Sequence, residues 1–321
     1  MPDYIFKTYI DSGREHYEYT DVTDREQTIK KDFPFPESLM ELLYMDTQEL
    51  EAITKKMDKA LLASYQSGAK DDLQVVVEGL DELASRHVYF ELLRLDWTGR
   101  LKAVERVTPK EYLRLLPHKK ISHIYSNIDT MQRQIIGLIA HALDMDGEKK
   151  SVSEKMVAYY NAEGNDTLYT FQFQPQPVNF EVIDRRIFAE VLYPKDIYDL
   201  IDHHIRECVK REVRMRVCKN CLRYFAVTGK ASTEYCDRVC DSKGRTCREI
   251  GAINTWTQRK QGDEVFKEYR REYKKRFARI NAGRLTKSAF YAWSEEARKK
   301  KEDCDGGTIT PGEFSRWLKE S

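Results

Sequence analysis

The sequence predicts an α+β fold, mostly helical, and three observations carry that prediction. Much of the front half repeats apolar side chains every three or four positions, the period of a helix buried on one face. Short stretches near the start and beyond residue 168 instead alternate apolar with polar, the period of a half-buried strand. Five of the seven cysteines fall between Cys218 and Cys247, which marks off a small module of its own. The organisation predicted is an α+β domain over 1–194, a lead-in helix and cysteine module over 195–260, and a helical tail over 261–321.

In order, Tyr4 to Ile10 and His16 to Thr20 lean towards strand on either side of Asp11-Ser12-Gly13. Pro34 and Pro36 punctuate the approach to a helical region. Helices are expected over Glu37 to Met45, Thr47 to Tyr65, Asp71 to Leu95, Pro109 to Leu143 and Ser153 to Asn161. Tyr169, Phe171 and Phe173 then alternate with polar residues, and after Pro175 and Pro177 so do Val178, Phe180 and Val182, which reads as two strands around a break. Pro194 and Asp196 open a helix from Lys195 to Val213, with Ile197, Leu200, Ile201, Ile205, Cys208 and Val209 on its apolar face. His204 and Cys208 lie four apart and could share a metal, but at the edge of that stripe burial is the expectation. Val213, Met215 and Val217 then alternate with Arg214 and Arg216 along a strand that leads to Cys218.

Composition narrows the function classes. Of 54 Lys and Arg and 53 Asp and Glu, residues 201–321 hold 29 and 18, which leaves 25 and 35 for 1–200. An acidic front and a basic back imply different partners. The opening Met-Pro-Asp-Tyr-Ile-Phe-Lys has no secretory pattern, and the apolar run Ile135 to Leu143 is too short for a bilayer, so a cytoplasmic protein with no membrane association is expected. Thiols stay reduced in that compartment, so clustered cysteines point to metal ahead of disulfides. No catalytic signature is present: no Gly-rich phosphate loop, no Gly-x-Ser-x-Gly, no His-Glu-x-x-His. Glu148-Lys149-Lys150 echoes a nuclease phrase but sits in a polar turn, and His118 and His123 beside Lys119-Lys120 read as ordinary helix-end histidines. A non-enzymatic protein is the first expectation, and an enzyme seated in the acidic half stays open as a third reading.

Cys218-Lys-Asn-Cys221 is a knuckle in which two thiolates can grip one ion, and Asn220 suits the left-handed residue such a turn needs. Leu222 to Val227 returns as a strand, and Cys236 supplies a third ligand. Cys240 and Cys247 compete for the fourth place. Cys247 is preferred, because Thr246-Cys-Arg-Glu249 has capping-box spacing and a thiolate gains at a helix N-terminus. Four thiolates imply structural Zn2+, in a closed site with no position for water. All seven histidines lie at or before His204, so the module contains no histidine base.

Knuckle, hairpin, Tyr235-Cys236 and helix-borne Cys247 resemble a treble-clef zinc finger. The phrases Tyr224-Phe225, Tyr235-Cys-Asp-Arg238 and Thr246-Cys-Arg-Glu-Ile-Gly251 resemble those of an uncharacterised bacterial family, a domain of unknown function often found near mobile elements. More distantly they are similar to the finger that ends the stress regulators named for a Cys-Gly-Asn-Arg motif, although that motif is absent here. The resemblance spans about 205–321 and implies a zinc fold without an assigned activity.

In the tail, a helix from Asp263 to Ile280 carries Phe266, Tyr269, Tyr273, Phe277 and Ile280 as one stripe, expected to pack on the zinc module. Lys267, Arg270, Arg271, Lys274 and Lys275 occupy the rest and, with Arg214 and Arg216, make DNA or RNA the expected partner. An offset of 24 relates Gly283-Arg-Leu-Thr286, Phe290 and Trp293 to Gly307-Thr-Ile-Thr310, Phe314 and Trp317. Two such units can close a C-terminal helical hairpin, and a protein partner docking there is the alternative function. The phrase from Asp303 to Glu313 echoes a calcium loop but offers a poor oxygen cage.

Overall fold

A computed structural model describes residues 4–20, 27–68, 70–162, 170–251 and 264–321. They form two compact units: one of residues 1–217 with 223–233, the other of 218–222 with 234–321. The segment 195–260 therefore divides between the units, and its lead-in helix belongs to the first.

The first unit sets helices against an antiparallel sheet of order β3-β2-β1-β5-β4. The two strand-leaning segments become β1 (Ile5–Asp11) and β2 (Arg14–Thr20), paired as a hairpin. Ser12 and Gly13, both at positive φ (48° and 75°), make a turn whose twist matches the strands. Strands β3 (Thr28–Pro34) and β5 (Ile187–Leu192) were not anticipated, and β4 (Val178–Ile183) was. The expected strand from Tyr169 to Gln174 is a correction. Tyr169 lies outside the described residues, and Phe171 to Pro177 join no ladder. Side chains take over their backbone groups: Gln174 N–H donates to Asp202 Oδ2 at 2.6 Å, Tyr160 Oη donates to Phe171 O at 2.6 Å and Arg206 Nη2 to Gln174 O at 2.8 Å. Aromatic alternation here places Phe171 in the core without a sheet.

The helices are α1 (Glu37–Leu42), α2 (Thr47–Ser67), α3 (Asp71–Arg86), α4 (Tyr89–Val104), α5 (Tyr112–Leu115), α6 (Lys119–Ser122), α7 (Ile124–Leu138), α8 (Val152–Ala162) and α9 (Ile197–Lys210). Two helices expected to be continuous are broken, for identifiable reasons. His87 separates α3 from α4: extended there, it accepts the Tyr89 N–H on Nδ1 at 3.2 Å, and its Nε2 bonds the Ser38 carbonyl at 2.8 Å. Pro117 forces Leu116 out of the helical region and ends α5. Asp196 caps α9 by accepting the Asp199 N–H at 3.1 Å, so it precedes the helix instead of lying in its first turn. Its predicted apolar face is buried at Leu200, Ile201, Ile205 and Cys208, against α1 and α4. β6 (Met215–Val217) and β7 (Tyr224–Ala226) add a short antiparallel pair.

In the second unit, α10 (Glu264–Asn281), α11 (Lys287–Asp305) and α12 (Pro311–Glu320) form the tail. The predicted start of α10 at Asp263 lies outside the described residues. Both halves of the repeat keep their devices. Gly283 and Gly307 stand at φ 68° and 75°, where a side chain is disfavoured. Thr286 and Thr310 cap their helices, each accepting the backbone N–H three residues on. Trp293 and Trp317 stack 6.5 Å apart, and Phe290 and Phe314 are fully buried. The stripe on α10 packs against this hairpin, Tyr273 meeting Phe290 edge-on at 5.0 Å. That corrects the expectation that it would pack on the cysteine module. Among the described residues no helix is long and apolar enough to cross a membrane.

Candidate metal centre

Four of the five clustered sulfurs converge. The Sγ atoms of Cys218, Cys221, Cys236 and Cys247 lie within 4.8 Å of one another, a set that could hold one metal ion. Among the described residues no other group of three or more His, Cys, Asp or Glu side chains is so placed.

Each sulfur arrives by its own local device. The chain turns between β6 and β7, and Leu222 N–H donates to Cys218 O at 2.9 Å to close the knuckle. The left-handed residue is Leu222, at φ 59°, and not Asn220 as the sequence suggested. Asn220 is used differently: its Nδ2 donates to Cys247 Sγ at 3.3 Å and ties the knuckle to the last ligand. Cys236 is aligned by its own N–H, which donates to Cys218 Sγ at 3.4 Å. Cys247 begins a helical segment over 247–251, started by the expected capping box. Thr246 N–H donates to Glu249 Oε2 at 2.7 Å, and Glu249 N–H returns to Thr246 Oγ1 at 3.3 Å.

Residues 238–247 bring Cys247, and not Cys240, to the other three sulfurs. Cys247 N–H donates to Arg238 O and Cys240 N–H to Arg245 O, each at 2.9 Å, closing a small hairpin. Cys240 lies along that hairpin, exposed, its thiol donating to the Arg245 carbonyl at 3.4 Å. Cys247 is fully buried among the other three sulfurs.

The electrostatics favour thiolate at the knuckle. Burial pushes the Cys218 thiol up, but the amides of Cys221, Cys236 and Asn220 outweigh it and bring the group down to about 7. Cys236 moves up, through burial and the neighbouring sulfurs. Arg238 brings a cation near both Cys221 and Cys236, with Nη1 4.0 and 3.9 Å from their sulfurs. Sequence reasoning missed both Arg238 and the Asn220 amide. Their signal is weak, since a donor to sulfur has no fixed spacing from the cysteine it serves.

Gly251 closes the centre on the far side. A Cβ there would stand 2.4 Å from the Tyr235 ring and 3.1 Å from Asn220 Cβ. Gly251→Ala is therefore expected to push Tyr235 and the knuckle apart, costing about 1–3 kcal/mol as overpacking does. Bound metal should become easier to strip: the time course of chelation by a colorimetric dye should quicken, and an unchanged course would contradict this packing.

The remaining sequence-picked residues lie apart from the cluster. His204 and Cys208 are buried and separate from it, with His204 Nε2 bonded to Tyr17 Oη at 2.8 Å. Arg214 is exposed. Arg216 grips Asp146 through two 2.6 Å bonds and the carbonyls of Ala231 and Thr233. Lys267, Arg270, Arg271, Lys274 and Lys275 are all exposed on α10.

The stretch that contains α9, the cysteine quartet and most of the tail can be compared with known families. Residues 169–314 match DUF6076, a family of unknown function. No curated protein and no solved structure matches the chain. The DUF6076 match takes in all four cysteines of the cluster and the basic residues picked out on α10 and at Arg214 and Arg216, and its description carries no activity.

Proposed function

We propose that the quartet binds Zn2+ as a structural ion in a treble-clef-like module, and that the basic tail beside it in the chain binds nucleic acid without catalysing a reaction. The metal assignment rests on the sulfurs. A tetrahedron with Zn–S bonds of about 2.3 Å has sulfurs about 3.8 Å apart, and Cys221 and Cys236 stand 3.7 Å apart. Soft thiolates alone select zinc or a comparable ion over magnesium or calcium. Four protein ligands leave no open position for water or substrate, which argues against metal-assisted hydrolysis at this centre.

One observation carries the nucleic-acid reading. Lys267, Arg270, Arg271 and Lys274 recur at helix spacing i, i+3, i+4 and i+7, a single exposed ridge on α10 that flanks the aromatic stripe. Arg270, Arg271 and Lys274 make no ion pair among the described residues, while Lys275 pairs with Glu272 at 3.2 Å. A row of cations with few internal partners suits phosphates. Arg216 is already engaged with Asp146, so the reading leans on α10 and Arg214. The aromatics that might have docked another protein are largely spent inside the tail, which favours nucleic acid over the protein-partner alternative.

Fluorescence anisotropy with a labelled duplex and a labelled single strand tests this. Binding is expected at low salt, weakening steeply as salt rises. The substitution of Arg270, Arg271 and Lys274 by alanine should reduce the magnitude of the log–log salt slope by about 2–3. No binding to either probe at about 50 mM salt overturns the reading, since backbone neutralisation is strongest there.

A further inference from the structure

The first unit holds a cavity that the metal centre does not explain. It encloses about 480 Å³ beside the start of α9, within the roughly 300–1,000 Å³ of small-molecule sites. Its floor is aliphatic, with Leu92 of α4 and Ile128 and Met131 of α7 all buried. Its rim carries Lys119 and Lys120 of α6 together with Lys195, all exposed. None of these lysines makes an ion pair among the described residues. The two acidic side chains on the lining are already engaged. Asp96 accepts from Arg100 Nε at 2.8 Å, and Asp196 caps α9. With Asp96 paired to Arg100, three ammonium groups stand against one carboxylate, Asp196, so the border of this apolar hollow is net positive in a half of the chain that is otherwise acidic.

We infer that this cavity binds a small organic anion with an aliphatic body, of the carboxylate class. The head sits among Lys119, Lys120 and Lys195, where it offsets their mutual repulsion. The body lies over that floor and against Leu93 and Ile197, the half-buried aliphatic side chains of the lining, where it covers apolar surface still open to water. An aliphatic chain fits better than a stacked base or ring. Tyr198 is the one aromatic on the lining, and its ring already stacks on Phe171 at 5.6 Å. The pair Lys119-Lys120 thereby acquires a role.

Calorimetric titration of the full chain tests this, with decanoate and decyltrimethylammonium as probes of equal tail length, each below its micelle concentration. Decanoate is expected to saturate at one per chain, and the cation to bind at least tenfold more weakly. The combined substitution Lys119→Ala, Lys120→Ala and Lys195→Ala should weaken decanoate by about tenfold or more. Asn127→Trp, a change at an exposed lining position, should obstruct the hollow and abolish binding. Far-UV circular dichroism confirms that the variants stay folded. The inference is overturned by lack of saturable decanoate binding up to about 1 mM, by equal affinity for the cation, or by unchanged affinity in the triple-lysine variant. None of these readouts depends on nucleic-acid binding or on the metal.

Discussion

Cys247→Ala is expected to remove the metal ion from the chain and, with it, the fold of residues 218–222 and 234–251. Burial makes this the largest single effect anticipated. Across those two segments the buried residues are Cys218, Cys236, Cys247 and Gly251, so three of the four belong to the cysteine quartet and the other has no side chain. Among the described residues of these segments no buried apolar side chain other than the cysteines holds the backbone if the sulfurs part. Structural zinc sites contribute about 10–16 kcal/mol of binding free energy, which in such modules is folding free energy. Elemental analysis of the purified chain should find one zinc in the wild type and in Cys240→Ala, and close to none in Cys247→Ala or Cys218→Ala. Limited proteolysis should then cut first between residues 234 and 251 in the stripped variants. A metal-free wild type sinks the assignment. Loss of metal in Cys240→Ala but not in Cys247→Ala reverses the ligand set.

Spacing made that centre legible, because a knuckle, a third cysteine and a capping box are local and each has its own chemical signature. The 24-residue repeat was legible for the same reason: glycine stop, threonine cap and Phe-x-x-Trp all act within one turn or one helix. What escaped depends on partners distant in sequence. β3 reads Thr-Ile-Lys-Lys-Asp-Phe-Pro, and no residue of it is fully buried. It is a strand because β2 pairs with it along seven residues. The alternation through Phe171 and Phe173 had the right period but met side chains of α8 and α9 before any neighbouring strand. His87 broke a helix that periodicity extended, and the reason, a carbonyl at Ser38, lies 49 positions away. Leu222 took the left-handed position because the closing bond to Cys218 falls on that residue, whatever the local preference of Asn220.

Removal of Glu15 is the second large effect expected, and it concerns the first unit alone. Glu15 is fully buried on β2 and is the common acceptor of a network that no local pattern announces. It accepts the Ser38 N–H at 2.7 Å, the Ser38 hydroxyl at 2.8 Å and the Tyr17 hydroxyl at 3.3 Å, and it faces His204 Nε2 at 3.0 Å. His204 Nδ1 in turn bonds the Leu200 carbonyl at 2.8 Å, so β2, α1 and α9 are joined through one carboxylate. Glu15→Ala leaves a buried amide and buried hydroxyls without their acceptor, which should cost about 3–5 kcal/mol. That is a large share of the roughly 5–15 kcal/mol of a typical domain. Glu15→Gln keeps an acceptor and should cost less. Acid should weaken the same unit from a neighbouring cause. Burial holds His87 down to about 4, and burial with the adjacent His204 holds His203 down to about 3. Unfolded, both would titrate near 6.5. As pH falls below that value the unfolded chain takes up protons that the folded chain refuses, so stability is full above about pH 6.5 and declines down to about 4, by on the order of 3 kcal/mol per histidine. Urea midpoints followed by hydrogen exchange at α4 and α9 check both effects. A Glu15→Ala midpoint equal to the wild type, or a midpoint flat between pH 7 and 5, would show that the buried polar groups find other partners and that the network is not what holds β2 to the helices.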